Sequence, residues 1–170
     1  MDTLKRLIRD VPDFPKPGII FKDITPLLAD HAGMSRLIGA AAQAHQGRGI
    51  TKIVGIESRG FLFGVPVALA MGVGFVPARK PGKLPWKAVR QDYGLEYGKD
   101  AIELHEDSVG AQDRVLVVDD VLATGGTAAA AVALCRRLGA RVEGAAFAIE
   151  LGFLGGAKRL DVPLWAALKY

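Results

Sequence analysis

The chain has 170 residues, 50% of them hydrophobic and 24% charged, with a formal net charge of +4 at neutral pH. That length supports one compact core and leaves too little chain for a second ordinary domain, and the composition excludes a disordered or low-complexity protein. The basic residues are scattered, with no basic face interleaved with aromatics, so the excess positive charge favours anionic partners in general, and a small phosphorylated metabolite explains it as well as nucleic acid does.

Taken in chain order, Leu4, Leu7, Ile8 and Val11 recur at helical spacing and Pro12 closes the segment, which predicts a short amphipathic helix. The opening "MDTLKRLIRD" lacks the apolar core of a signal peptide, and no run of about 18 apolar residues follows, so a soluble, cytoplasmic chain is expected. "FPKPGIIFKDITPLL" holds three prolines and a glycine in fifteen residues and reads as ordered, irregular and strand-like rather than helical. Residues 34–45 return to a helical pattern. Four short apolar runs then read as buried strands: Lys52 to Ile56, Gly74 to Ala78, Arg114 to Val118 and Gly144 to Ile149. A helix entered through Gly64 and Pro66 separates the first two, and one over Thr127 to Leu138, stopped by Gly139, separates the last two. Strand-helix-strand units of this kind imply parallel strands and an α/β fold. Between the second and third strands, Pro81 to Gly110 is a long excursion in which "LEYGKDAIELHED" alternates as a hairpin would; such excursions are commonly binding flaps.

Each strand run is followed by a chemically loaded segment: "ESRG", "ARKPGK", "DDVLATGGT" and "ELGF". Ligands of open parallel sheets bind beyond the carboxyl ends of the strands, so all four should converge on one site. Ala123, Thr124, Gly125, Gly126 and Thr127 form a turn whose amides and hydroxyls, with the following helix N-terminus, suit a phosphate. No lysine follows the glycines, which rules out a triphosphate P-loop, and a dinucleotide G-x-G-x-x-G is absent too. Asp119 and Asp120 repel each other unless something uses them, and ribose hydroxyls or a hydrated Mg²⁺ are the natural users. Acid pair and cradle together describe a site for a ribose 5-phosphate. Arg59, Arg79, Lys80 and Lys83 could meet a second polyanion; as surface charge they would need no ligand.

Cys135, alone of its kind, cannot form an internal disulfide and reads as a buried structural thiol. His31, His45 and His105 show no metal-ligand spacing, and surface or loop positions are expected for all three.

With these residues in view, "VLVVDDVLATGGT" resembles the signature of the type I phosphoribosyltransferases, and "FPKPGIIFKDITPLL", "ESRGFLFG", "ARKPGKLP" and "LEYGKDAIELHED" resemble its adenine-using branch, from about Val11 to the C-terminus. The resemblance implies one domain with a central, mostly parallel twisted sheet flanked by helices. It also implies a small N-terminal hood, about residues 12–30 with the C-terminal segment, and a flexible β-hairpin flap at about 81–110. The implied reaction is adenine plus 5-phosphoribosyl-1-pyrophosphate giving AMP and pyrophosphate, with Mg²⁺, in a homodimer. By the same resemblance Ala123 to Thr127 hold the 5′-phosphate and Asp119 and Asp120 the ribose hydroxyls. Arg59 and the Glu57-Ser58 backbone, with a cis peptide, face the pyrophosphate, and Arg79, Lys80 and Lys83 add charge there, partly across the dimer. Ile20 and Lys22 read adenine through backbone atoms, the ring lies between Phe21 and Leu151, Glu96 handles the proton at adenine N7, and Tyr97 orders the flap. A regulator that senses phosphoribosyl pyrophosphate or a purine without turnover is the competing reading; the chain has no room for the nucleic-acid-binding domain such a protein usually has.

Overall fold

Three neighbouring residues of the central strand, Val115, Leu116 and Val117, are each fully shielded from solvent, which requires both faces of the sheet to be covered. A computed structural model, describing residues 2–95 and 98–170, shows how. The sheet has five strands in the order β4 (Gly74–Ala78), β3 (Lys52–Ile56), β7 (Arg114–Leu122), β8 (Arg141–Glu150) and β9 (Leu164–Lys169). Every pairing in it is parallel. Successive side chains leave a strand on opposite faces, and the core divides accordingly. Val54, Ile56, Val115, Val117 and Phe147 join α5 (Gly126–Arg137), while Ile53, Leu116, Val118 and Ala148 join α3 (His31–Ala44) and α4 (Gly60–Met71).

The four predicted strands are present, β7 and β8 running longer than their apolar cores, and β9 is an additional one. Three expectations change. The first helix is only α1 (Asp2–Lys5); Val11 lies instead in β1 (Arg9–Pro12), which pairs antiparallel with β2 (Ile20–Asp23). The segment expected to be irregular contains α2 (Thr25–Ala29), because Pro26 falls in the first turn, where its missing N–H is no loss. α4 begins at Gly60 rather than at Gly64, with Pro66 inside it. His45 is a further correction: it caps the end of α3 in the interior, its Nδ1 2.8 Å from the Ala41 carbonyl and its ring edge-on to Trp165. Burial pulls its pKa down. Cys135 is buried as expected, and burial pushes its thiol up to about 12.

The excursion after β4 is an antiparallel hairpin of β5 (Ala88–Leu95) and β6 (Gly98–His105), so its first strand lies upstream of the stretch that alternates in sequence. Ile102 and Leu104 are buried in the same cluster as α5, with Val89 and Tyr93 packed against it. The base of this hairpin is therefore part of the core. Among the described residues no helix is long and apolar enough to cross a membrane.

Candidate active site

Parallel strands end together, and the segments after β3, β4, β7 and β8 do meet. One cleft of about 370 Å³ is lined by Ile20, Phe21 and Lys22 of β2, by Glu57, Ser58 and Arg59, by Lys80, by Asp119, Asp120, Ala123 and Thr127, and by Leu151. Thr124, Gly125 and Gly126 line an adjoining recess that shares Asp119, Ala123 and Thr127 with it. The two acids lie inside β7 rather than at its end.

The recess owes its shape to Gly125, which precedes α5 at φ 80°, a conformation that side chains disfavour. A Cβ there would stand 2.4 Å from the Gly156 carbonyl oxygen, so the loop is pressed against the turn at Gly156–Arg159 and is held from behind. Asp119 Oδ1 accepts from the Asp120 amide at 2.9 Å. Burial, and then the adjacent Asp120 charge, push Asp119 well above the usual carboxylate range; burial also raises Asp120 although Arg59 opposes it. Arg59 Nε lies 2.9 Å from Asp120 Oδ2 as an ion pair, and among the described residues this buried oxygen has no hydrogen-bond donor. An acceptor of this kind suits a sugar hydroxyl or a water held by a divalent cation. The Arg59 guanidinium also stands 5.6 Å from the centroid of Phe21, joining the acid pair to β2.

The remaining cations are placed by an acid whose side chain the sequence reading passed over. Glu57 Oε1 accepts from Lys83 Nζ at 2.5 Å, and Oε2 accepts from the Lys80 amide at 2.8 Å and from Arg79 Nε at 3.3 Å. Burial would raise the Glu57 carboxyl, but these partners outweigh it and hold it at about 2. Arg79 and Lys83 thus converge on Glu57, and of the three cations in "ARKPGK" Lys80 is the one lining the cleft. The signal available in sequence was an acid directly after one strand and a cationic loop directly after its neighbour. The Glu57–Ser58 peptide is cis. Glu96 and Tyr97 lie outside the described residues.

On the far wall, Lys22 Nζ donates to Asp10 Oδ1 at 2.6 Å and sits 4.2 Å from the Tyr170 ring centroid, so the C-terminal residue closes against β1 and β2. Among the described residues β2 pairs with β1 alone, and alternate residues of such a strand direct N–H and C=O away from that partner. Among the described residues no group of three or more His, Cys, Asp or Glu side chains is arranged to hold a metal.

The sequence model of the phosphoribosyl transferase domain matches residues 23–161. An adenine phosphoribosyltransferase of Anaeromyxobacter dehalogenans is 57% identical over 94% of this chain and 93% of its own. Another, of Myxococcus xanthus, is 57% identical over 92% and 85%. The crystal structure of adenine phosphoribosyltransferase from Thermoanaerobacter pseudethanolicus superimposes with a TM-score of 0.96 at 48% identity, covering 99% of both chains. The Saccharomyces cerevisiae enzyme, complexed with an imino-altritol bisphosphate and adenine, gives 0.91 at 42% identity over 96% of this chain and 95% of its own. With the sheet, the acid pair and the small-residue loop in place, the chain belongs to the phosphoribosyltransferase family, among the adenine phosphoribosyltransferases.

Proposed function

We propose that the cleft transfers the 5-phosphoribosyl group from phosphoribosyl pyrophosphate to adenine, releasing AMP and pyrophosphate, with the following division of labour. The observation that supports it best is the convergence of an apolar slot, an acid pair, a small-residue anion loop and a cation on one cavity. The amides and hydroxyls of Ala123 to Thr127 hold the 5′-phosphate, and Asp119 and Asp120 hold the ribose hydroxyls. Arg59 and Lys80 face the pyrophosphate directly; Arg79 and Lys83 back them through Glu57. Adenine lies between Phe21 and Leu151, and backbone groups of Ile20 and Lys22 meet its N6 donor and N1 acceptor. β1, β2 and the segment ending at Tyr170 act as a hood, and the β5–β6 hairpin as a flap on the same domain.

In the reaction the C1′–O bond breaks with its electron pair passing to pyrophosphate, the N9–C1′ bond forms, and the proton on adenine N7 leaves, to Glu96 in this reading. C1′ is positively charged in the transition state, so the adjacent carboxylates stabilise it while the cations stabilise the leaving group. Mg²⁺ fits as a companion of the pyrophosphate: the donorless Asp120 oxygen offers hard-oxygen support beside the ribose, and the ion would neutralise leaving-group charge when bound. Closing the cleft excludes water that would otherwise hydrolyse the sugar.

Adenine, phosphoribosyl pyrophosphate and Mg²⁺ incubated with the protein should give AMP, and guanine or hypoxanthine in excess should compete poorly. Either would set like hydrogen-bonding groups against each other in the slot, a mismatch of about 10²-fold or more. Equal use of guanine would overturn the backbone-reading arrangement; absence of AMP would favour a sensor without turnover.

The enzyme acts in the cytoplasm as a homodimer in this reading. Leu62, Val65 and Leu69 form an exposed apolar stripe along α4, Leu69 being 78% exposed, and a second copy would cover it. Light scattering on Leu69→Glu should then report a monomer where the wild type is a dimer.

A further inference from the structure

Lys80 is held by the flap. Its Nζ donates to the Tyr93 hydroxyl at 2.8 Å and to Asp100 Oδ2, and the Tyr93 hydroxyl donates to the same Asp100 oxygen at 2.9 Å. Tyr93 is on β5 and Asp100 on β6, directly paired across the hairpin, so both strands must be in place for the triad to form. The hairpin is also stitched to the loop that bears Lys80. Arg79 and Glu103 exchange backbone hydrogen bonds at 2.9 and 2.7 Å, and Glu103 Oε2 accepts from the Gly82 amide at 3.1 Å. On its other side the Tyr93 ring lies 3.4 Å from where a Cβ on Gly126 would stand, at the first residue of α5 and hence against the anion loop.

We infer that Asp100 and Tyr93 are positioning residues for Lys80, fixing its ammonium at the pyrophosphate end of the cleft and making that position depend on the flap. The inference rests on the phosphoribosyl-transfer reading above. A lysine has three N–H donors; among the described residues two are engaged, which leaves one for an anion and sets its direction. A four-carbon stem without these anchors would sample many rotamers, and ordering it on binding would weaken the contact. The ion pair with Asp100 does not cost Lys80 its charge. Burial pulls the ammonium's pKa down, but the bonds from Asp100 and Tyr93 outweigh it and leave the pKa above the usual lysine value, so the charge persists. Lys80 in turn holds the Asp100 carboxyl below its usual range. Tyr93 touches the helix that starts at the anion loop and bonds the lysine at the other end of the cleft, so one flap strand contacts the supports of both substrate phosphate groups.

Initial rates with phosphoribosyl pyrophosphate and adenine varied in turn, for wild type, Asp100→Asn, Tyr93→Phe, Lys80→Met and the Asp100→Asn/Lys80→Met pair, test this. Asp100→Asn should lower kcat/KM for phosphoribosyl pyrophosphate about tenfold and Tyr93→Phe about threefold, with KM for adenine unchanged. In the Lys80→Met background Asp100→Asn should add nothing, since the lysine it orients is gone. Wild-type values for both variants, an equal rise in KM for adenine, or additive losses in the pair would overturn the inference. Should Asp100→Asn fail to fold, Tyr93→Phe, which keeps the ring against α5, repeats the cycle with Lys80→Met. Inactivity of the wild type on adenine would overturn the function and this inference together; an active wild type with indifferent variants overturns the inference alone.

Discussion

Gly125→Ala is expected to lower kcat/KM for phosphoribosyl pyrophosphate by about 10³-fold, with a loss of about 2 kcal/mol in stability. Two costs coincide at this position. The residue occupies φ 80°, disfavoured once a Cβ is present, and that Cβ would lie 2.4 Å from a backbone carbonyl that cannot swing aside as a flexible side chain could. Either the loop or the turn at Gly156 must move, and displacing donors by about 1 Å from the phosphate is enough to remove most of their effect. Gly72→Ala is the control, with φ 68° and open space around its Cβ. It should cost about 1 kcal/mol and leave the rate intact. Comparable activity in the two variants would mean that the anion loop is not where the 5′-phosphate binds.

Asp119→Asn should separate stability from activity in opposite directions. Burial and the Asp120 charge raise the Asp119 carboxyl in the folded chain, so the native state holds its proton more tightly than the unfolded chain does. Stability from this group is then full below the unfolded value of about 3.9 and is lost as pH rises toward the folded value. At neutral pH the group is a liability, and an amide removes it. Asparagine keeps an oxygen for the Asp120 amide and gains an N–H that can face the Asp120 carboxylate. The variant should be more stable than wild type by about 1 kcal/mol, a rise in Tm of about 3 °C. It should also form AMP about 10²-fold more slowly, having lost a charged acceptor for the ribose. A less stable Asp119→Asn would show that the pair is not electrostatically strained in the folded chain.

The four strands starting at Lys52, Gly74, Arg114 and Arg141 were legible because each holds a short apolar run bounded by glycine or charge, and α5 because a turn of small residues leads into a helical pattern that Gly139 stops. Residues 1–30 were not. Helical spacing of Leu4, Leu7 and Ile8 is real, yet Val11 pairs with Phe21 in a hairpin, and a short helix fits between prolines only when one of them takes its first turn. Such choices are settled by partners distant in sequence. β9 escaped because Leu164–Lys169 is half-buried, joins the sheet at its edge and lacks strand-favouring β-branched residues. Within the site, the anion loop, the acid pair, Leu151 and Lys80 could be placed together by the rule that ligands sit at strand ends, whereas Phe21, on a strand outside that sheet, was reached only through the family resemblance. The triad of Lys80, Tyr93 and Asp100 could not, since nothing in "YGLEYGKD" says which way a hairpin folds back. The Glu57 side chain was assigned no task because its partners come from another strand's loop.

Because Ile102 and Leu104 belong to the inner wall, the root of the hairpin is a keystone of that side of the molecule rather than an appendage to it. An engineer wishing to widen the mouth for bulkier bases could not simply excise the hairpin, since cutting at its root would unroof the helix on that side of the sheet.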